Sequence, residues 1–104
     1  MQKKEFKIKQ TKPVIICVFD KSLMKEYINL QTLLRNSGIS TEIYPGEGKL
    51  KKQMEYSNKI KSPAVILYGE DEIKLGKPTL RDLSSGNEKS LEIKELANEI
   101  KKII

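Results

Sequence analysis

The chain contains no histidine, one cysteine and no long apolar run, and each shortage removes a class of function. Without an imidazole, Cys17 has no usual base to activate it as a nucleophile. Zinc sites built from cysteine and histidine clusters are excluded on the same counts. Carboxylates alone remain open as metal ligands, yet no EF-hand spacing supports such a site. A single cysteine forms no intramolecular disulfide. Set within Val14-Ile15-Ile16-Cys17-Val18-Phe19, it reads as a small buried hydrophobe. No stretch approaches the roughly 20 residues that a helix needs to cross a bilayer. The lysine-rich N-terminus lacks the apolar centre of a secretory signal. A cytoplasmic protein without membrane contact is the expectation.

What is present fits one domain of 104 residues. That length buries a core but leaves little room for a deep catalytic cleft. The net charge is +6, from 20 Lys+Arg against 14 Asp+Glu, and it is unevenly distributed. Residues 1–12 hold Lys3, Lys4, Lys7, Lys9 and Lys12 against Glu5 alone. Residues 47–62 hold Lys49, Lys51, Lys52, Lys59 and Lys61 against Glu47 and Glu55. Clustered lysines attract polyanions, nucleic acid being the commonest; the plainer reading is a solvated tail and a solvated helix face.

Residues 1–12 are polar and closed by Pro13, as in a linker or the cut end of a longer protein; a domain is expected over 13–104. Residues 14–19 form a β-branched apolar run and read as a strand buried on both faces. Asp20 is a plausible N-cap for a helix. In that helix Leu23, Tyr27, Leu30 and Leu34 share one face, and Gly38 closes it. Residues 39–44 alternate weakly, like an outer strand. A second helix over about 48–61 is expected to bury Leu50, Met54 and Ile60, with Lys51, Lys52, Glu55 and Lys59 opposite. Residues 64–68 are a second fully apolar strand. The β-α-β-α-β order demands a parallel sheet with covered faces. Beyond Gly69 the pattern changes to an acidic loop, a hairpin around Ser84-Ser85-Gly86-Asn87 and a last helix over about 92–104. The expected fold is a three-layer α/β/α structure with a five-stranded mixed sheet and about three helices.

Ligands of open α/β sheets gather beyond the carboxyl ends of the parallel strands. Gly46-Glu47-Gly48-Lys49 there is no phosphate loop, because Leu50 stands where the hydroxyl after the lysine belongs. A phospho-receiver site would join Asp20 to Glu70 or Asp71 around a cation, but the β-α alternation stops at that point. An RNA site fits better, since unpaired bases are read on their edges while cations hold the backbone. A carboxylate at Glu72 can accept from a guanine edge, Arg81 offers a rigid fork, and Lys51, Lys52 and Lys59 can neutralise phosphates. Any surface holds such residues, so a solvated surface stays open on this evidence.

Three segments together carry a resemblance: Gly48-Lys49-Leu50-Lys51-Lys52-Gln53 with Tyr56-Ser57, then Ala64-Val65-Ile66-Leu67-Tyr68-Gly69-Glu70-Asp71-Glu72-Ile73 with Gly76, then Leu80-Arg81-Asp82-Leu83 with Gly86. From Pro13 onward the chain resembles the C-terminal anticodon-binding domain of class II aminoacyl-tRNA synthetases, the histidyl type above all. The resemblance implies that Glu72 and Arg81 contact anticodon bases and that Lys49 and Lys52 hold backbone. It departs from the family pattern at Pro78, which suggests an edge or a strand start. Arg81 stands where the histidyl group often has lysine, and Glu47 adds an acid before the basic helix. The parent enzyme so implied uses ATP and Mg²⁺ to join histidine to its tRNA, usually as a homodimer with its own catalytic domain. No cofactor and no catalytic residue is expected within this domain. An accessory or protein-interaction module that has lost RNA reading is the alternative.

Overall fold

The computed structural model describes residues 12–46 and 48–103. Apart from Lys12, the polar tail lies outside the described residues, as do Glu47 and Ile104. Five strands form one sheet in the order β2-β1-β3-β4-β5. They are β1 Val14–Cys17, β2 Thr41–Ile43, β3 Ala64–Leu67, β4 Thr79–Asp82 and β5 Glu88–Ser90. β1 runs parallel to both β2 and β3, whereas β4 is antiparallel to β3 and to β5. The helices are α1 Met24–Asn36, α2 Leu50–Lys59, α3 Glu70–Leu75 and α4 Ile93–Ile103.

The period-2 alternation of the central strands sorts the core into two layers. Val14, Ile16, Ile66 and Leu80 face one side and meet Tyr27, Leu30 and Leu34 of α1 with Leu96 and Ile100 of α4. Ile15, Cys17 and Val65 face the other, where Leu50, Met54 and Ile60 from α2 and its end pack on them. The three-layer arrangement and mixed sheet match the expectation. Four of its details need correction.

The first strand ends at Cys17; Val18 is half-buried and Phe19 is 47% exposed. Asp20 caps a 3-10 turn, Lys21–Leu23, through a bond from the Ser22 N–H at 2.9 Å, and α1 follows that turn. In α2 the fully buried side chains are Gln53 and Ser57, while Leu50, Met54 and Ile60 stay partly exposed.

The acidic segment is a fourth helix, not a loop. Glu70, Asp71 and Glu72 all lie in the first turn of α3, where negative charge suits the helix dipole. At the other end Gly76 adopts a left-handed conformation, φ +69°. Its N–H bonds Ile73 O, and the Lys77 N–H bonds Glu72 O at 3.0 Å, the paired closure of a Schellman end. Pro78 stands just before β4, so its missing donor costs the ladder nothing.

Candidate nucleic-acid interface

At the carboxyl end of β1 the chain leaves the sheet but stays fixed. The Gln53 side chain takes the place of a neighbouring strand: its Oε1 accepts from Val18 N–H at 2.7 Å and its Nε2 donates to Val18 O at 2.6 Å. The same Nε2 donates to Gly48 O at 3.1 Å, tying the end of β1 to the start of α2. From the opposite layer, the buried Tyr27 Oη accepts from Phe19 N–H at 3.1 Å. Helices on both faces therefore hold the two residues that carry the chain out of the sheet.

The exposed Phe19 ring meets Gly69, the N-cap of α3, two residues beyond the end of β3. A Cβ at Gly69 would stand 3.0 Å from Glu72 Oε1 and 3.2 Å from Phe19 Cδ2. Carboxylate and ring thus flank one glycine, and this close approach requires the missing side chain. Glu72 Oε1 accepts from Gly69 N–H at 2.7 Å, which caps α3 and fixes the carboxylate. Glu72 is half-exposed with one oxygen committed to the backbone.

Arg81 lies elsewhere. In β4 it sits opposite Val65 and Glu88, on the sheet face that α2 covers in part. Gly69 lies four positions beyond Val65, roughly 13 Å along an extended chain, so Arg81 sits back from the carboxyl edge where Glu72 is fixed. Arg81 Nη1 bonds Glu88 Oε2 at 3.3 Å. Its Nε is buried and finds no partner among the described residues.

The lysines spread along α2, all exposed. Lys49 is its N-cap and makes no side-chain capping bond. Lys52 lays its aliphatic stem over Gly48, with Cδ 3.1 Å from where a Cβ would stand. Gly48 and Phe19 line one cleft, so Lys49 and Lys52 come to the carboxyl edge near Phe19, with Lys51 between them in sequence. Lys59 lies about 10 Å further along the helix axis, toward the other edge.

A family model described as the anticodon binding domain matches residues 12–103. This chain belongs to the anticodon-binding domain family. A histidine–tRNA ligase from Pelagibacter ubique is 37% identical over 109 aligned positions, covering 100% of this chain and 23% of that protein. One from Caulobacter vibrioides is 40% identical over 74, covering 71% and 15%. Histidyl-tRNA synthetase from Nostoc sp. PCC 7120 superposes with a TM-score of 0.85 at 27% identity, over 89% of this chain and 22% of that one. The anticodon-binding domain here thus spans less than a quarter of the length of those relatives.

Two residues that organise this anticodon-binding domain had no assigned role in the sequence reading. Gln53 is a polar side chain at a core-facing position between Leu50 and Met54, a signal that it bonds buried backbone. Phe19 was hidden as the last member of an apolar run. Burial pushes the Cys17 thiol up to about 12, which keeps it protonated and unreactive. Among the described residues no group of three Cys, His, Asp or Glu side chains could hold a metal, and no helix is long and apolar enough to cross a membrane.

Proposed function

We propose that this chain reads the anticodon loop of histidine-accepting tRNA as one part of a histidine–tRNA ligase. Glu72 and Arg81 contact neighbouring unpaired bases, while Lys49, Lys51 and Lys52 hold phosphates at that edge; Lys59, at the far end of α2, stands apart from them. The observation that carries the reading is the carboxyl edge itself: the Glu72 carboxylate is fixed on Gly69 beside Phe19, and Gly48, just before the lysine-bearing helix, lines one cleft with the same Phe19. Residues 13–104 act as the binding domain and 1–12 as the connection to the remainder of the ligase. That remainder supplies the catalytic domain with its ATP and Mg²⁺, and the ligase works as a cytoplasmic homodimer.

In this reading each side chain has a distinct task. One Glu72 oxygen is spent on Gly69 N–H, and the other accepts from a base edge. The Arg81 fork must exchange Glu88 for RNA; that exposed pair contributes little stability, so the exchange costs little. Lysines carry no sequence information, because phosphate contacts position the loop and base contacts specify it.

Glu72→Gln tests the assignment cleanly, since the amide oxygen still accepts from Gly69 N–H while the charge is lost. Titrated with cognate and non-cognate anticodon stem-loops, Glu72→Gln is expected to lose discrimination while keeping most affinity. Lys52→Ala is expected to weaken both RNAs alike and to reduce the salt slope by about one. Wild-type behaviour from both variants would overturn these roles. A wild-type chain with no anticodon preference at any salt would point to an accessory module.

A further inference from the structure

Phe19 is half-exposed although the backbone on which it stands is held from both faces of the sheet. Its N–H is fixed by Tyr27 Oη and the preceding residue by both ends of the Gln53 amide. Nothing in the core requires this ring, which is 47% exposed and belongs to neither apolar cluster. Beside it lies a cleft of about 170 Å³ lined by Val18, Phe19, Asp20, Lys21, Gly46 and Gly48. Among the described residues the two glycines bring no side chain to that wall, and the stem of Lys52 lies across Gly48. Glu72 stands across Gly69 from the ring.

We propose that Phe19 is a stacking platform for one unpaired nucleobase, seated in the cleft beside Gly46 and Gly48. The inference rests on the anticodon-loop reading above and adds a site to it. Unpaired bases stack on aromatic side chains irrespective of sequence, because each base presents a π-face. A ring carried on a backbone held in advance gives up less freedom when a base covers it. With Lys52 beside the cleft, the phosphate adjoining the stacked base meets a cation. Phe19 accordingly supplies affinity and pins the loop, and Glu72 reads an adjacent base edge.

The test uses the full 104-residue chain and anticodon stem-loops carrying 2-aminopurine at each loop position in turn. Fluorescence quenching and affinity are read for wild type, Phe19→Ala and Phe19→Tyr at fixed salt, with circular dichroism confirming that each variant is folded. In the wild type, quenching is expected at one position above all. Phe19→Ala should abolish it there and weaken binding roughly ten- to a hundredfold, with the salt slope unchanged. Phe19→Tyr should retain both quenching and affinity. Wild-type quenching and affinity in Phe19→Ala would overturn the stacking site while leaving the anticodon reading intact. A wild type that binds no stem-loop would overturn that reading, and the stacking site with it.

Discussion

At the scale of single residues, Gln53 most clearly joins stability to function. It is 1% exposed and satisfies three backbone groups from two segments. Gln53→Leu keeps the volume but leaves those groups unpaired, at a cost of about 3 kcal/mol. Gln53→Glu can still accept from Val18 N–H but cannot donate to Val18 O or Gly48 O. Both variants should unfold at lower urea than wild type, and both should loosen Phe19. Cys17 supplies a second readout. Its thiol is protonated in the fold up to about 12, whereas an exposed thiol ionises near 9.0. The unfolded chain therefore loses its proton first, and the stability present below pH 9 declines as pH rises toward 12. Cys17→Ala should flatten that alkaline decline in urea midpoints, and a thiol reagent at neutral pH should label the wild type only as fast as it unfolds.

Among the elements, helix ends decide where the site residues point. α1 and α3 close through Gly38 and Gly76, but α2 closes with Lys61 at φ +61°. The same bond pair forms there, Lys61 N–H to Asn58 O and Ser62 N–H to Ser57 O. A lysine side chain resists that conformation, so Lys61→Gly is expected to stabilise the chain by about 0.5–1 kcal/mol, measured as a higher urea midpoint. The central strands were legible because residues buried on both faces read as unbroken apolar runs. α1 and α4 were legible from their periodic stripes. α3 was not, since six residues are too few to show a helical period. Its evidence lay in local chemistry: glycine, three acids, then a glycine four residues after Glu72. The same run of apolar residues that revealed β1 concealed its end, because Val18 turns to a side-chain partner in α2 that no local pattern announces. Reading the acids as a loop still put Glu72 at the correct edge, but it missed the bond that fixes its carboxylate.

Over the whole molecule, charge and topology lead to the same edge. The parallel strands end where α2 begins, so Lys49 and Lys52 come to the edge that also holds Phe19 and, across Gly69, Glu72. Arg81 extends the surface across the open part of the sheet, one strand further along the order β1-β3-β4. Removing the Glu88 partner should favour the RNA-bound state of that arginine. Glu88→Gln is expected to raise stem-loop affinity about two- to fivefold, as expected for a surface ion pair of up to about 1 kcal/mol. An unchanged or weaker affinity would show that Arg81 stays out of the interface.

The most direct measurement maps backbone amide shifts of the labelled chain as the cognate anticodon stem-loop is titrated in. The largest changes should fall at residues 18–20, 48–53, 69–72 and 79–81, along the carboxyl edge and the neighbouring sheet face. Changes confined to the opposite edge, at residues 37–39 and 61–63, or to the outer surface of α4, would contradict the account.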